Sequence, residues 1–223
     1  MNTIRTPDAR LAAVGANVRG DFIYDIGTDH AILPIYLCSV GKISRAVASD
    51  INRGPLLRAE KNISDAGFSD RIKTVLSDGL EKLEDEQPTD IVIAGMGGIL
   101  IRDIIEKSTV ARTAHLVLQP MSHAHILRGY LTENGYEITA ETLARDGDKV
   151  YQIISADHTG KNGDYSEIER YLGRLNIENR DKHPELFSLL LQKNIDTFSK
   201  KVAGGDLSSV GLYNEFLSLT EER

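Results

Sequence analysis

A single cysteine, Cys38, and no tryptophan occur among the 223 residues. One thiol cannot close an internal disulfide, and its place in the apolar stretch Ala31–Val40 predicts a buried structural thiol rather than a nucleophile. No run approaches the roughly 18 apolar residues that span a bilayer. The opening residues MNTIRTPDAR hold no apolar core of the kind a secretory signal needs, so a reduced, cytoplasmic setting without membrane contact is expected. The six histidines have no spacing typical of a metal site, with His123-x-His125 a weak pair at best, and no metal is expected. The G-x-G-x-x-G fingerprint of dinucleotide binding is missing as well. After Gly27, Asp29 stands at its second glycine and Ile32 at its third. A pyrophosphate needs the closest backbone approach, so this loss weighs against a dinucleotide ligand.

What is present reads as a globular chain with 41% apolar and 26% charged residues, long enough for one α/β domain of about 150 residues and a smaller appendage. Short β-rich runs fall at Phe22–Ile26, Ala46–Ile51, Lys73–Leu76, Asp90–Ala94, His115–Leu118, Tyr136–Thr139 and Val150–Ser155. Amphipathic segments such as Pro55–Ala66 and Ile99–Lys107 lie between them. This alternation predicts βαβ units and a mainly parallel seven-stranded sheet. The last two runs are joined by the short polar link Arg145–Asp148, too short for a parallel crossover, so they are expected to pair antiparallel. Seven strands closing on an antiparallel hairpin is the Rossmann-like pattern of class I methyltransferases.

Beyond a linker at Asp157–Gly163 the pattern becomes helical, which divides the chain at residues 1–160 and 161–223. Ile168, Leu172 and Leu175 share one helical face, Pro184 opens a longer helix, and Gly204-Gly205 stops it before Val210, Tyr213, Phe216 and Leu217. The net charge of −7 argues against nucleic acid, yet residues 170–201 carry seven basic against four acidic side chains. Such a stretch is either a set of solvated helix faces or a local grip on phosphate.

Four strand ends carry the chemistry. Asp25-Ile26-Gly27 turns tightly after the first run, where backbone N–H groups can receive a carboxylate and Asp25 suits a cationic amino-acid tail. Asp50 ends the second run, where a carboxylate can hold ribose hydroxyls. Asp78-Gly79 follows the third and is placed to hold an adenine amino group. Gly95, Gly97 and Gly98 follow the fourth, where the backbone passes close to a ligand or to a neighbouring element. All four fall on the carboxyl edge of the sheet, where open α/β folds bind ligands.

The segments Asp25–Pro34, Ala48–Ile51 with Gly54-Pro55, Ser77–Leu80, Ala94–Gly98 and Leu118-Gln119-Pro120 resemble the bacterial tRNA (adenine-N1) methyltransferase family that acts at adenine 22. The similarity runs from about Arg10 to Ser155, and the helical tail matches that family's helical C-terminal domain. The chain has Ala9-Arg10 where the family tends to a basic pair, and Met121 where it tends to asparagine. The resemblance implies S-adenosylmethionine as methyl donor and tRNA as acceptor. It implies a cofactor site of Asp25, Gly27, Asp50, Ile51, Asp78, Gly79, Ala94, Gly95 and Met96. Asp29 and His30 are the expected catalytic pair, Asp29 facing the base and His30 orienting it. Arg10, Gln119, Pro120, Arg170, Arg174, Lys193, Lys200 and Lys201 are the expected tRNA contacts. Two other readings stay open at this point: a small-molecule methyltransferase whose tail is a lid or dimer interface, and a non-catalytic RNA-binding protein.

Overall fold

The computed structural model describes residues 4–83 and 86–221. Its centre is the strand Phe22–Ile26 (β1), five apolar or satisfied residues that are all buried, as a strand covered on both faces must be. Around it lie Arg45–Asp50 (β2), Ile72–Leu76 (β3), Asp90–Gly97 (β4), His115–Ser122 (β5), Tyr136–Asp146 (β6) and Lys149–His158 (β7). The sheet order is β3-β2-β1-β4-β5-β7-β6. β1 to β5 pair in parallel, and β7 runs antiparallel to both β5 and β6, so the sheet is mixed.

Helices cover both faces. Ala9–Asn17 (α1), Ile32–Ser39 (α2) and Arg53–Asp65 (α3) bury Val14, Leu33, Leu37, Ala59 and Ile63 on one side. Gly98–Glu106 (α4) and Ala124–Glu133 (α5) bury Ile101, Ile104, Ile105, Leu127 and Leu131 on the other. α1 starts at an N-cap, where the Leu11 amide donates to the Asp8 carboxylate at 2.7 Å. Cys38 is buried on α2, and burial pushes its thiol pKa up.

The tail forms Glu167–Leu172 (α6), Arg174–Glu178 (α7), Pro184–Ala203 (α8) and Val210–Glu221 (α9). Leu172, Phe187, Leu190, Leu191, Phe198 and Phe216 make its own core, with Leu143 of β6 and Val150 of β7 packed against it.

The structure differs from the sequence reading in three places. The sixth run continues to Asp146 through a bulge between Ile138 and Ala140, although Ala140-Glu141-Thr142-Leu143-Ala144 has helix-forming composition. Pairing with β7 overrides that propensity. The face shared by Ile168 and Leu175 is broken at Gly173, whose φ of 90° lies where other residues are strained and where a Cβ would strike the Glu141 carboxylate at 2.4 Å. The expected linker is pinned: β7 runs to His158, and the Thr159 and Gly163 amides donate to the Gly135 and Thr132 carbonyls at 2.8 Å each.

Candidate active site

β1 lies between β2 and β4, so successive crossovers leave it in opposite directions and open a crevice beyond its carboxyl end. The turn out of β1 builds the floor of that crevice. Gly27 has φ of 72°, and both its amide and that of Thr28 donate to the Ser49 carbonyl at 2.8 Å. Met96 lies over this glycine, its terminal methyl occupying the space that a Cβ at position 27 would fill. The Asp25 side chain is 7% exposed and accepts a 2.6 Å hydrogen bond from the Thr28 hydroxyl. Burial pushes its pKa up to about 6 against the opposing pull of Thr28, with a further rise from the neighbouring Asp29.

A cavity of about 280 Å³ opens here, lined by Asp25, Gly27, Asp29 and Ala94 from the sheet side and by Arg5, Asp8 and Arg10 from the N-terminal segment. Acidic and basic side chains share this small hollow, with Arg10 lying 3.7 Å from Asp8. Among the described residues larger hollows lie elsewhere, one of about 820 Å³ between α4, α5 and α6 and others of about 510, 670 and 480 Å³, and these four do not touch the Asp25 turn.

The other strand ends line up along the same edge. Asp50 at the end of β2 is half-buried, and one carboxylate oxygen accepts the Asn52 amide at 2.7 Å. Ile51 beside it is 60% exposed. Asp78 is exposed after β3 and Gly79 buried against Ile104. Ala94 and Met96 are half-buried and Gly95 exposed at the end of β4.

Arg10 and Gln119 are brought together across 109 residues of chain. Gln119 is fully buried, and its side-chain oxygen accepts from Arg10 Nη1 at 2.8 Å and from the Gly95 amide at 3.2 Å. Its amide nitrogen donates to the Pro120 carbonyl at 3.0 Å. The same nitrogen lies 3.6 Å from Met121 Sδ, and together these contacts tie the ends of β4 and β5 to each other. Arg10 faces the cavity, and its guanidinium lies 5.8 Å from the Tyr151 ring centre.

The expected catalytic pair is divided. Asp29 lines the cavity with a highly exposed side chain. His30 and Ala31 take left-handed backbone angles, and His30 lines a separate hollow of about 510 Å³ with Asn62 and Asp65. Only a 3.4 Å contact between His30 Nε2 and Asp29 Oδ1 links the two side chains.

The tail residues divide too. Arg170 is ion-paired with Glu133 at 2.7 Å. Arg174 forms a two-pronged pair with Glu169 at 2.6 and 3.0 Å, which holds that carboxylate down at about 2. Both arginines are partly exposed and carry an acidic partner within the chain. Lys193, Lys200 and Lys201 stand exposed on α8, Lys201 Nζ lying 4.3 Å from the Phe198 ring centre. Among the described residues no three His, Cys, Asp or Glu side chains gather as a metal site would require.

Sequence reading missed two features. Arg5 on the cavity wall had no periodic or motif signal. Arg128 is fully buried, and it binds Glu141 at 2.6 Å, Gln152 at 2.8 Å and the Arg170 carbonyl at 2.9 Å. A charged residue amid an apolar helical face was the one available hint.

Comparison with known proteins agrees with this geometry. Residues 8–154 match the methyltransferase domain family. The chain is 34% identical to the tRNA (adenine(22)-N(1))-methyltransferase of Bacillus subtilis (strain 168) over 169 residues, 74% of this chain and 71% of that protein. The crystal structure of the B. subtilis m1A22 tRNA methyltransferase TrmK superposes with a TM-score of 0.81 at 26% identity, covering 97% of this chain and 96% of that one. TrmK of M. capricolum, solved with the cofactor product S-adenosyl-homocysteine, gives a TM-score of 0.81 at 26% identity over 95% and 96% of the two chains. The chain belongs to the bacterial tRNA (adenine(22)-N1)-methyltransferase family.

Proposed function

We infer that this chain transfers a methyl group from S-adenosylmethionine to N1 of adenine 22 in tRNA. The observation that carries the reading is the cavity at the end of β1, whose lining combines the buried Asp25 carboxylate with Arg5 and Arg10. That arrangement is complementary to a zwitterion, and an amino-acid tail is one. The residues fit the donor along its whole length. Asp25 suits the α-amino group, and Arg10 with Arg5 suits the carboxylate. The free oxygen of Asp50 suits the ribose, and Asp78 suits the adenine amine. Arg10 therefore moves from the tRNA contacts to the cofactor site in this reading, and Gln119 becomes the residue that holds Arg10 in place.

When bound, the cofactor supplies an electrophilic methyl group on a sulfonium. The chain's residues do the rest. Adenine N1 is unprotonated at neutral pH, so no side chain has to remove a proton before attack, and rate comes from alignment and electrostatics. The base acquires positive charge as it reacts. Asp29, on the cavity wall and open to solvent, is placed to stabilise that charge, with His30 restraining its carboxylate from behind. N1 lies on the Watson–Crick edge, so the nucleotide must be unstacked and unpaired to enter. Grip on the flanking RNA falls to the segment 161–223, through Lys193, Lys200 and Lys201 rather than the internally paired arginines. Among the described residues none of the tail lines the cavity, which speaks against a lid for a small substrate. The reading places the protein in the cytoplasm with its tRNA.

The test is incubation with labelled S-adenosylmethionine and unmodified tRNA. Label in the RNA is expected, and label that stays out of tRNA but enters small acceptors would overturn the reading.

A further inference from the structure

A second concavity adjoins the cofactor cavity. It has a volume of about 670 Å³ and lies between the end of β5, the β6–β7 hairpin and α8. Its walls combine three kinds of surface. Met121 and Leu189 present apolar side chains that are 48% and 38% exposed. Lys149 and Lys193 supply positive charge from opposite sides, with Asp148 at the hairpin tip the one opposing acid on the lining. Aromatic rings supply flat faces: Tyr151 on one wall, and on the floor His125 stacked on Tyr171 at 4.2 Å and 9°. Burial, aided by His123, Lys201 and Arg128, pulls the His125 pKa down to about 4, so that pair is uncharged at neutral pH.

Arg10 links the two hollows. It lines the cofactor cavity, donates to the Gln119 oxygen, and its guanidinium lies 5.8 Å from the ring centre of Tyr151, which lines the groove. Pro120, next to Gln119, also lines the groove. A base delivered to the cofactor cavity therefore has the rest of its strand within reach of the groove.

Resting on the proposed function, we propose that this groove holds the unpaired nucleotide of the RNA substrate next to the target adenine. Its base stacks on the Met121–Leu189–Tyr151 surface, and its phosphates lie between Lys149 and Lys193. Flat π faces flanked by cations are the combination that single-stranded nucleic acid selects, because every base has a face and every link a charge. The volume exceeds what one base needs and leaves room for the sugar and phosphate. A free anionic metabolite would use the cations and ignore the apolar wall, which is the larger part of the surface.

The experiment measures affinity of an unmodified tRNA transcript for the full chain by fluorescence anisotropy across a salt series, with S-adenosylhomocysteine affinity measured alongside. Lys193→Glu should weaken tRNA binding about tenfold and flatten the salt slope by about one, the loss of one phosphate contact. Met121→Asp, at an exposed position, should weaken it about tenfold as well. Lys107→Glu, the same charge change at the far end of α4, should stay within twofold. An abasic transcript lacking the base on either side of the target should bind the parent several-fold more weakly, and Met121→Asp should add nothing further on one of the two. S-adenosylhomocysteine affinity should be unchanged throughout. Parental tRNA affinity and salt slope in both groove variants would overturn the proposal, as would an equal effect of Lys107→Glu. Methyl transfer by the parent separates the two readings: tRNA methylated while the groove variants bind normally sinks the groove alone, and groove-dependent binding without methylation sinks the function alone.

Discussion

Asp25 is where stability and binding oppose each other most sharply. Its carboxyl titrates near 6 in the folded chain against 3.8 for an ordinary aspartate, so between those values the folded state holds a proton that the unfolded state has lost. Stability of the ligand-free protein must then fall as pH rises from about 4 to 6, by up to ~3 kcal/mol for a shift of about two units. Asp25→Asn keeps the hydrogen bond from Thr28 and removes the buried charge. We expect the variant to melt higher than the parent at pH 7.5 and to lose the pH slope, while binding S-adenosylhomocysteine at least about tenfold more weakly. Thermal melts that run parallel for the two proteins between pH 4 and 7 would contradict the assignment. Asp50 has a simpler task, since one oxygen fixes the Asn52 amide and the other is left for the ribose. Asp50→Ala should weaken cofactor binding by ~1.5–3 kcal/mol, the usual loss for hydrogen bonds to a charged group. Calorimetry showing unchanged affinity would remove Asp50 from the site. Asp29→Ala should leave cofactor affinity within a few-fold and slow single-turnover methyl transfer by about tenfold or more. Equal rates would make Asp29 a turn residue.

At the scale of elements, the tail is held to the sheet by one polar knot. Arg128 of α5 and Glu141 of β6 are both fully buried, and Glu141 also accepts the Leu175 amide at 2.9 Å, so α5, β6, β7 and the start of the tail share one network. Removing one partner of such a pair leaves a buried charge, typically at ~3–5 kcal/mol. Arg128→Ala should therefore lower urea-unfolding stability by about that amount and expose the α6–α7 segment to proteolysis. A change below about 1 kcal/mol would show that the knot is solvated in solution. The same network explains what sequence could and could not show at this scale. Strands β1, β2, β4 and β5 were legible because each holds a continuous buried run bounded by turns, and β3, of which only Ile72 is buried, because its β-rich residues lie between turn signals. The far half of β6 was not, because Glu141 reads as a helix former until its partner Arg128 is seen beside it. The break at Gly173 was hidden too, because Ile168, Leu172 and Leu175 read as one continuous helical face, and the Glu141 carboxylate that leaves no room for a Cβ there comes from a distant strand.

For the molecule as a whole, the carboxyl edge of the sheet was readable because four parallel strands project their turns to one side, and spacing alone places Asp25, Asp50, Asp78 and Gly95 there. The contact between Arg10 and Gln119 was not, since a pairing across 109 residues leaves no local pattern. The partners of the tail's arginines were hidden in a similar way: Arg170 and Arg174 count as charge in the sequence, and the fold sets Glu133 and Glu169 beside them. A chain with net charge −7 can still present cations to RNA if they are the unpaired ones, and on α8 those are lysines. The central claim is that the cleft at the end of β1 methylates N1 of adenine 22, and one measurement tests it most directly. Unmodified tRNA treated with the protein and S-adenosylmethionine is copied by reverse transcriptase, which halts at a base whose Watson–Crick edge is methylated. The account predicts a new stop at adenine 22 that disappears when that adenine is replaced by another base. Full-length copies throughout, or a stop at a different nucleotide, would contradict it.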